Sequence, residues 1–209
     1  MFTGESKFGR AAPAGGTGIG PVDTVVKFGG GVLQDAEHFD AVVAAIAAAA
    51  VERRLLVVGG GGPFADTVRR IDLRFRLPDE TAHWMAVLAM DQYAHLLAAR
   101  IAGAVLVARP REISDALTTT APRKIPVLAP YRWLRETDPL PHAWTVTSDS
   151  IAAWVAGAVG ARRLVLIKPA GASGDDLVDG HFSRALPPTV TCAIVPASSL
   201  CALQSALRA

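Results

Sequence analysis

The chain has 209 residues, of which 51% are apolar and 19% charged, with a formal net charge of +2. That is ample apolar material for the core of one large domain or two small ones, and the near-neutral charge with scattered arginines excludes a nucleic-acid footprint. Two cysteines, Cys192 and Cys201, form neither a CxxC pair nor a disulfide framework, which points to a reducing, cytoplasmic setting.

Residues 1–21 are rich in Gly, Ala and Pro without a continuous apolar stretch, and read as a flexible N-terminal tail. Their GGTGIG run superficially resembles a dinucleotide fingerprint, but no strand precedes it and no helix follows. Apolar, β-branched runs then recur at Thr24–Phe28, Leu55–Val58, Ala104–Ala108, Ile125–Leu128, Leu164–Ile167 and Thr191–Val195. They are near-continuous rather than alternating, as in strands covered on both faces. Helical segments separate them at Asp35–Val51, Pro63–Phe75, Asp79–Ala102, Ser148–Val159 and Ala197–Leu207. The long Asp79–Ala102 segment carries an apolar stripe through Trp84, Val87, Leu88, Tyr93, Leu96 and Leu97. The small-apolar run Ala41–Val51 is well short of the roughly 20 residues that cross a bilayer, so no membrane partner is expected. The Pro-rich segment Pro122–Pro141 reads as an excursion or a lid. No linker or repeat interrupts residues 22–209, so a single domain is expected. Its fold class is α/β, a three-layer α/β/α sandwich with an open, mainly parallel sheet.

Ligands of such sheets sit beyond the carboxyl ends of the strands. The first strand ends in Lys27-Phe28-Gly29-Gly30-Gly31, and the second in Gly59-Gly60-Gly61-Gly62 followed by Pro63. Glycines ahead of a helix either merely allow tight turns or leave amide groups facing open space, where an anion can bind; two such loops on neighbouring strands fit the second, a double cradle, better. Lys168 ends the fifth run, placing a second cation at the same edge. Asp149 follows Thr147 and Ser148 at a helix start. It is either a capping acid favoured by the helix dipole or the carboxylate that holds both ammonium groups. With two lysines and two glycine loops at one edge, the second role fits better. That set stabilises a transferring phosphoryl group, whose transition state spreads negative charge over its oxygens. On the acceptor side the long helix offers His83, Trp84, Met90 and Asp91, and His142 and Trp144 precede the Asp149 helix. Trp84 and Met90 at helical spacing also suit a core.

The stretches VVKFGGGVL, LLVVGGGGPFADTVR and HAWTVTSDSIAAWVA, in that order, resemble the amino acid kinase superfamily. His142, Trp144, Thr147, Ser148, Asp149 and Ser150, with Arg69 to Asp72 and Met90-Asp91, resemble one subgroup of it. That subgroup includes the kinase acting on (5-(aminomethyl)furan-3-yl)methyl phosphate in methanofuran biosynthesis. Bacterial relatives serve tetrahydromethanopterin- and methylofuran-linked C1 metabolism. The resemblance implies ATP-dependent phosphoryl transfer to a small molecule, with Mg²⁺ bridging nucleotide phosphates. It implies that Lys27 contacts the transferred phosphate, Asp149 orients the lysines, and Lys168 assists. Gly29, Gly30, Gly31 and Gly171 would lie on the nucleotide side. Gly60, Gly61 and Gly62, with Asp91, His142, Trp144 and Ser148, would lie on the acceptor side. It also implies a homodimer or larger homo-oligomer, with a hetero-oligomer open.

One departure stands out. Many members carry an Asp-x-Asp-Gly turn after the fifth strand. Here the stretch is Lys168-Pro169-Ala170-Gly171-Ala172, without either acid. Asp175, Asp176 and Asp179 stand a little further on, and whether they compensate is left open by the sequence. Only 38 residues follow Gly171, a short nucleotide-binding part. A catalytically impaired partner subunit on a kinase scaffold is therefore the alternative, with a molybdate-type oxyanion-handling protein behind it.

Overall fold

The computed structural model describes residues 22–118, 124–172 and 177–209. The N-terminal tail, Asp175 and Asp176 lie outside the described residues. Strand β1 (Thr24–Phe28) leads through a 3-10 turn (Gly30–Gln34) into α1 (Ala36–Ala49), then β2 (Leu55–Gly59) and α2 (Gly62–Phe75). Next come α3 (Asp79–Arg100), β3 (Ala104–Val107), α4 (Pro110–Thr118), β4 (Ile125–Leu128) and α5 (Tyr131–Thr137). The chain closes with α6 (Ser148–Ala158), β5 (Arg163–Lys168), α7 (Phe182–Ala185), β6 (Thr191–Pro196) and α8 (Leu200–Arg208). The six strands form one sheet in the order β3-β4-β2-β1-β5-β6, and every pairing is parallel.

The period of two along each strand divides the core. Val25, Leu56, Val58, Leu164 and Leu166 face one apolar layer with α6 residues Ile151, Ala152 and Val155. Val26, Phe28, Leu55, Val57, Val165 and Ile167 face the other, with Phe39, Val42 and Ile46 of α1 and Leu203 and Leu207 of α8. Helix α3 contributes Trp84, Val87 and Met90 to the first layer and Tyr93, Ala94 and Leu97 to the second. The central strands β1, β2 and β4 are buried along their length, whereas the edge strands β3 and β6 are partly exposed.

Local chemistry sets the helix ends. Asp35 caps α1 by accepting the His38 amide at 3.2 Å. Helix α2 opens at Gly62 with Pro63 next, and closes on Arg76 in the left-handed conformation (φ 51°). Asp79 and Glu80 stand in the first turn of α3 and Arg100 in its last, each matched to the helix dipole.

Three readings of the sequence change. The Pro-rich segment is not a lid: its described part holds β4, a strand paired on both sides, and α5, whose Trp133 and Leu134 are buried. The short helices α4, α5 and α7 carry too few turns to show a sustained apolar period. Leu88 leaves the α3 stripe and is 41% exposed, because the helix rotates it off the line shared by Val87 and Trp84. Leu97→Ala should therefore cost about 2–5 kcal/mol, while Leu88→Ala should change stability by less than about 0.5 kcal/mol, both read by urea unfolding.

Candidate active site

The strand order reverses at β1, which lies between β2 and β5, so the crevice at its carboxyl end is a topological switch point. Phe28 pairs with Ile167, which puts Lys27 and Lys168 near the ends of neighbouring strands. Both share the side-chain phase that faces α6: Lys27 follows Val25, and Lys168 follows Leu164 and Leu166. Asp149, in the first turn of α6, meets both. Lys27 Nζ lies 2.9 Å from Asp149 Oδ1, as an ion pair without hydrogen-bond alignment. Lys168 Nζ donates to Asp149 Oδ2 at 2.7 Å. The three side chains are 6%, 12% and 6% exposed for Lys27, Lys168 and Asp149. Burial pushes the Lys27 pKa below its ordinary value; Asp149 opposes that shift and the neighbouring Lys168 adds to it.

The glycine loops meet backbone to backbone. A Cβ on Gly30 would lie 2.4 Å from Gly62 N, closer than any side chain tolerates, and Gly62 itself has φ +53°. So these glycines serve first to let the loops touch. Gly60 donates its amide to Phe28 O at 2.9 Å, which removes it from the cradle. Gly29 turns the way its side chain would point toward Ile167 O. The amides of Gly30, Gly31, Gly61 and Gly62 have no backbone acceptor among the described residues. These four line a cavity of about 270 Å³ between α2, α3 and the start of α6. Val87, Met90, Val146 and Ile151 form its apolar part; Asp66, Arg69, His83, Trp144, Thr147 and Ser148 supply its polar groups. Lys27, Lys168 and Asp149 are not among the lining residues, nor are Gly60 and Gly171. Gly171 (φ +79°) sits in an exposed turn, and Pro169 rests against Gly31.

Of the acceptor-side residues, Trp144 and Ser148 line the cavity. Trp144 Nε1 donates to Asp72 Oδ2 at 2.7 Å, and the Arg69 guanidinium lies 4.9 Å from the Trp144 ring centre. Asp91 and His142 are placed elsewhere. Asp91 Oδ1 accepts the Tyr131 amide at 3.0 Å and so caps α5; burial raises its pKa, partly offset by that bond. His142 pairs through Nε2 with Asp138 at 2.8 Å and stacks on His83 at 4.3 Å. His83 is the imidazole in the cavity, held neutral by burial and by His142, with its pKa lowered to about 4. Trp84 is core, as its spacing allowed.

The residue that sequence reasoning left open is Asp179. Its Oδ2 accepts from Thr147 N at 2.9 Å, Thr147 Oγ1 at 2.7 Å and Ser150 N at 3.0 Å. Its Oδ1 accepts from Ser150 Oγ and from His181 N. Among the described residues, no group of three or more His, Cys, Asp or Glu could hold a metal ion. Both Asp149 oxygens face lysines and both Asp179 oxygens face α6 donors, so a Mg²⁺ ion finds no free carboxylate in this cluster.

The buried charge cluster and the two glycine loops thus stand at the carboxyl ends of neighbouring strands, at the switch point of a parallel α/β sheet. Residues 24–170 match the model of the amino acid kinase family, and the chain belongs to that family. It is 27% identical over 105 residues to the [5-(aminomethyl)furan-3-yl]methyl phosphate kinase of Methanocaldococcus jannaschii, covering 50% of this chain and 47% of the relative. The chain thus aligns with about half the length of that curated relative. In fold it is similar to the uridylate kinase of Archaeoglobus fulgidus (TM-score 0.53, 20% identity, 73% of this chain and 65% of that one). It is also similar to the UMP kinase of Ureaplasma parvum (TM-score 0.51, 13% identity, 73% and 68%). No helix among the described residues is long and apolar enough to cross a membrane.

Removing Asp149 strands two buried cations, so Asp149→Ala should cost about 3–5 kcal/mol in urea unfolding. Lys27→Met leaves a one-to-one pair and should stay within about 1 kcal/mol of wild type. Because the folded-state pKa of Lys27 lies below the ordinary 10.5, the unfolded chain binds that proton more tightly. Stability should therefore rise with pH across the interval beneath 10.5, and Lys27→Met should remove that rise.

Proposed function

We propose that the protein transfers the γ-phosphoryl group of ATP to a small acceptor held in the cavity between α2, α3 and α6. One observation carries this reading: two buried ammonium groups share one carboxylate. Within that contact set positive charge exceeds negative, and four glycine amides without a backbone acceptor among the described residues follow the ends of β1 and β2. Burial penalises such an excess until an anion arrives, and the anion that gains most is one whose charge spreads over several oxygens during reaction. In this reading Lys27 and Lys168 face the phosphoryl oxygens and Asp149 sets their spacing. Gly29, Gly30 and Gly31, with Gly171, serve the nucleotide side, and Gly61, Gly62 and Ser148 serve the acceptor side. A Mg²⁺ ion would travel on the phosphates, since the cluster offers it no carboxylate.

For the acceptor we favour an aminomethylfuran phosphate of C1-carrier cofactor synthesis in the cytoplasm. The half-length relative supports that choice, and so does the cavity. Trp144 offers a ring, Arg69 a cation for an anionic substituent, and Asp66 the carboxylate that an amine needs. Leu73 and Phe75 on α2 and Leu88 on α3 expose apolar area, which supports a homo-oligomer. A second reading has its own support. Pro169 rests against Gly31 where relatives carry an acidic turn, which favours a partner subunit without nucleotide turnover.

Steady-state assays with Mg-ATP separate the two. The kinase reading expects ADP formation stimulated by an aminomethylfuran phosphate, with kcat reduced about 10²–10³-fold in Lys27→Met. Arg69→Ala should raise the acceptor KM about tenfold with a smaller change in kcat. Absence of ATP affinity at millimolar concentration would leave the partner reading standing instead.

A further inference from the structure

We propose that Asp179 is a positioning residue of this centre: it holds the first turn of α6, and with it the Asp149 carboxylate, in register with the lysines at the strand ends. The proposal rests on the phosphoryl-transfer reading for its catalytic consequence, but its structural content stands apart from that reading.

A helix leaves its first amides without partners, and an N-cap side chain normally takes one of them, the second or the third. Thr147 occupies the N-cap of α6, yet its hydroxyl reaches only the Asp149 amide, at 3.5 Å. The Ser150 amide, the third, goes to Asp179 Oδ2 at 3.0 Å instead. The same oxygen takes the Thr147 amide at 2.9 Å and the Thr147 hydroxyl at 2.7 Å, and Ser150 Oγ donates to the other oxygen. The cap of α6 is therefore supplied by a residue 29 positions downstream of Ser150. Bonds to an ionised acceptor are shorter and roughly twice as strong as neutral ones. Burial alone would raise the Asp179 pKa; the Ser150 and Thr147 bonds outweigh it and hold the carboxyl below its ordinary range, so it is ionised at neutral pH.

Position along the chain gives the grip its consequence. Lys168 ends β5, and Asp179 lies on the segment that follows it. Asp149 lies between the two residues that Asp179 holds, Thr147 and Ser150. One carboxylate thus ties the segment after one lysine to the turn carrying the shared acid. It also satisfies the positive end of α6 with a protein anion, which leaves the Gly30, Gly31, Gly61 and Gly62 amides as the place for a substrate anion. The charges that act on Lys27 are Asp149 from α6, Lys168 from β5 and Asp179 from this segment. Asp179 favours the charged lysine, and its removal should lower the pH at which Lys27 loses its proton.

The test is a pH titration of the lysine ¹³Cε resonances, with amide hydrogen exchange, in the wild-type chain, Asp179→Asn and Asp179→Glu. In Asp179→Asn, the Lys27 midpoint should fall by about half a pH unit and the Ser150 amide should exchange at least about tenfold faster; Asp179→Glu should partly restore both. In the ATP assay, kcat should fall about tenfold or more with the acceptor KM within about twofold. If Asp179→Asn lowers only the melting temperature and leaves the Lys27 midpoint in place, Asp179 is a cap and nothing more, and the proposal fails. If wild-type protein turns over no ATP while the midpoint and exchange still shift, the kinase reading fails and the positioning role stands. Should Asp179→Asn not fold, Ser150→Ala removes one donor to the same carboxylate and should move both readouts in the same direction by less; unchanged readouts there also overturn the proposal.

Discussion

The structure turns on one carboxylate shared by two ammonium groups. Alone, either lysine at a strand end would be a costly thing to bury, and Asp149 would be an ordinary first-turn acid on a helix. Together they form a cluster with an excess of positive charge, screened from water and fixed by three different elements. A pair of opposite charges is complete in itself. A two-to-one contact set is not, and in the proposed reading an anion completes it. Asp179, a further carboxylate whose charge acts on Lys27, has its oxygens turned toward α6 donors and makes no direct contact with either lysine among the ion pairs of the described residues.

The glycine loops follow from the same geometry. Read as a string, seven glycines at two strand ends suggest amides held out to a ligand. In the folded chain some of them serve the fold first. A Cβ on Gly30 would strike the Gly62 backbone, Gly62 itself holds a positive φ of 53°, and the Gly60 amide extends the hydrogen bonding of β1. The amides left over are those of Gly30, Gly31, Gly61 and Gly62, which line the cavity. Close backbone contact and amides left without a backbone acceptor among the described residues are thus two results of the same missing side chains, divided residue by residue.

The acceptor side shows how polar residues with ligand-like chemistry are distributed between structure and site. Asp91 and His142 carry suitable groups, but one caps α5 and the other is paired with Asp138. Trp144 and Arg69 face the cavity because Asp72 anchors the indole from α2. The neutral His83 adds a hydrogen-bonding group without adding charge. The wall of that cavity of about 270 Å³ also holds one cationic and one carboxylate side chain, Arg69 and Asp66, which lie 3.6 Å apart as an ion pair.

Much was legible in the sequence alone, because it depended on local chemistry. Continuous β-branched runs mark buried parallel strands, helix starts are written in Asp35, Pro63 and Thr147, and lysines closing two of the apolar runs already place two cations at one edge of a parallel sheet. The tertiary structure decided which strands are neighbours. Only the order that sets β1 beside β5 brings the lysines to the same carboxylate, and pairing across distant segments leaves no periodic trace in the chain. The same holds for the cap that Asp179 gives to α6 and for the capping role of Asp91. Each is a single contact between residues far apart in sequence, fixed by packing rather than by any spacing the chain displays.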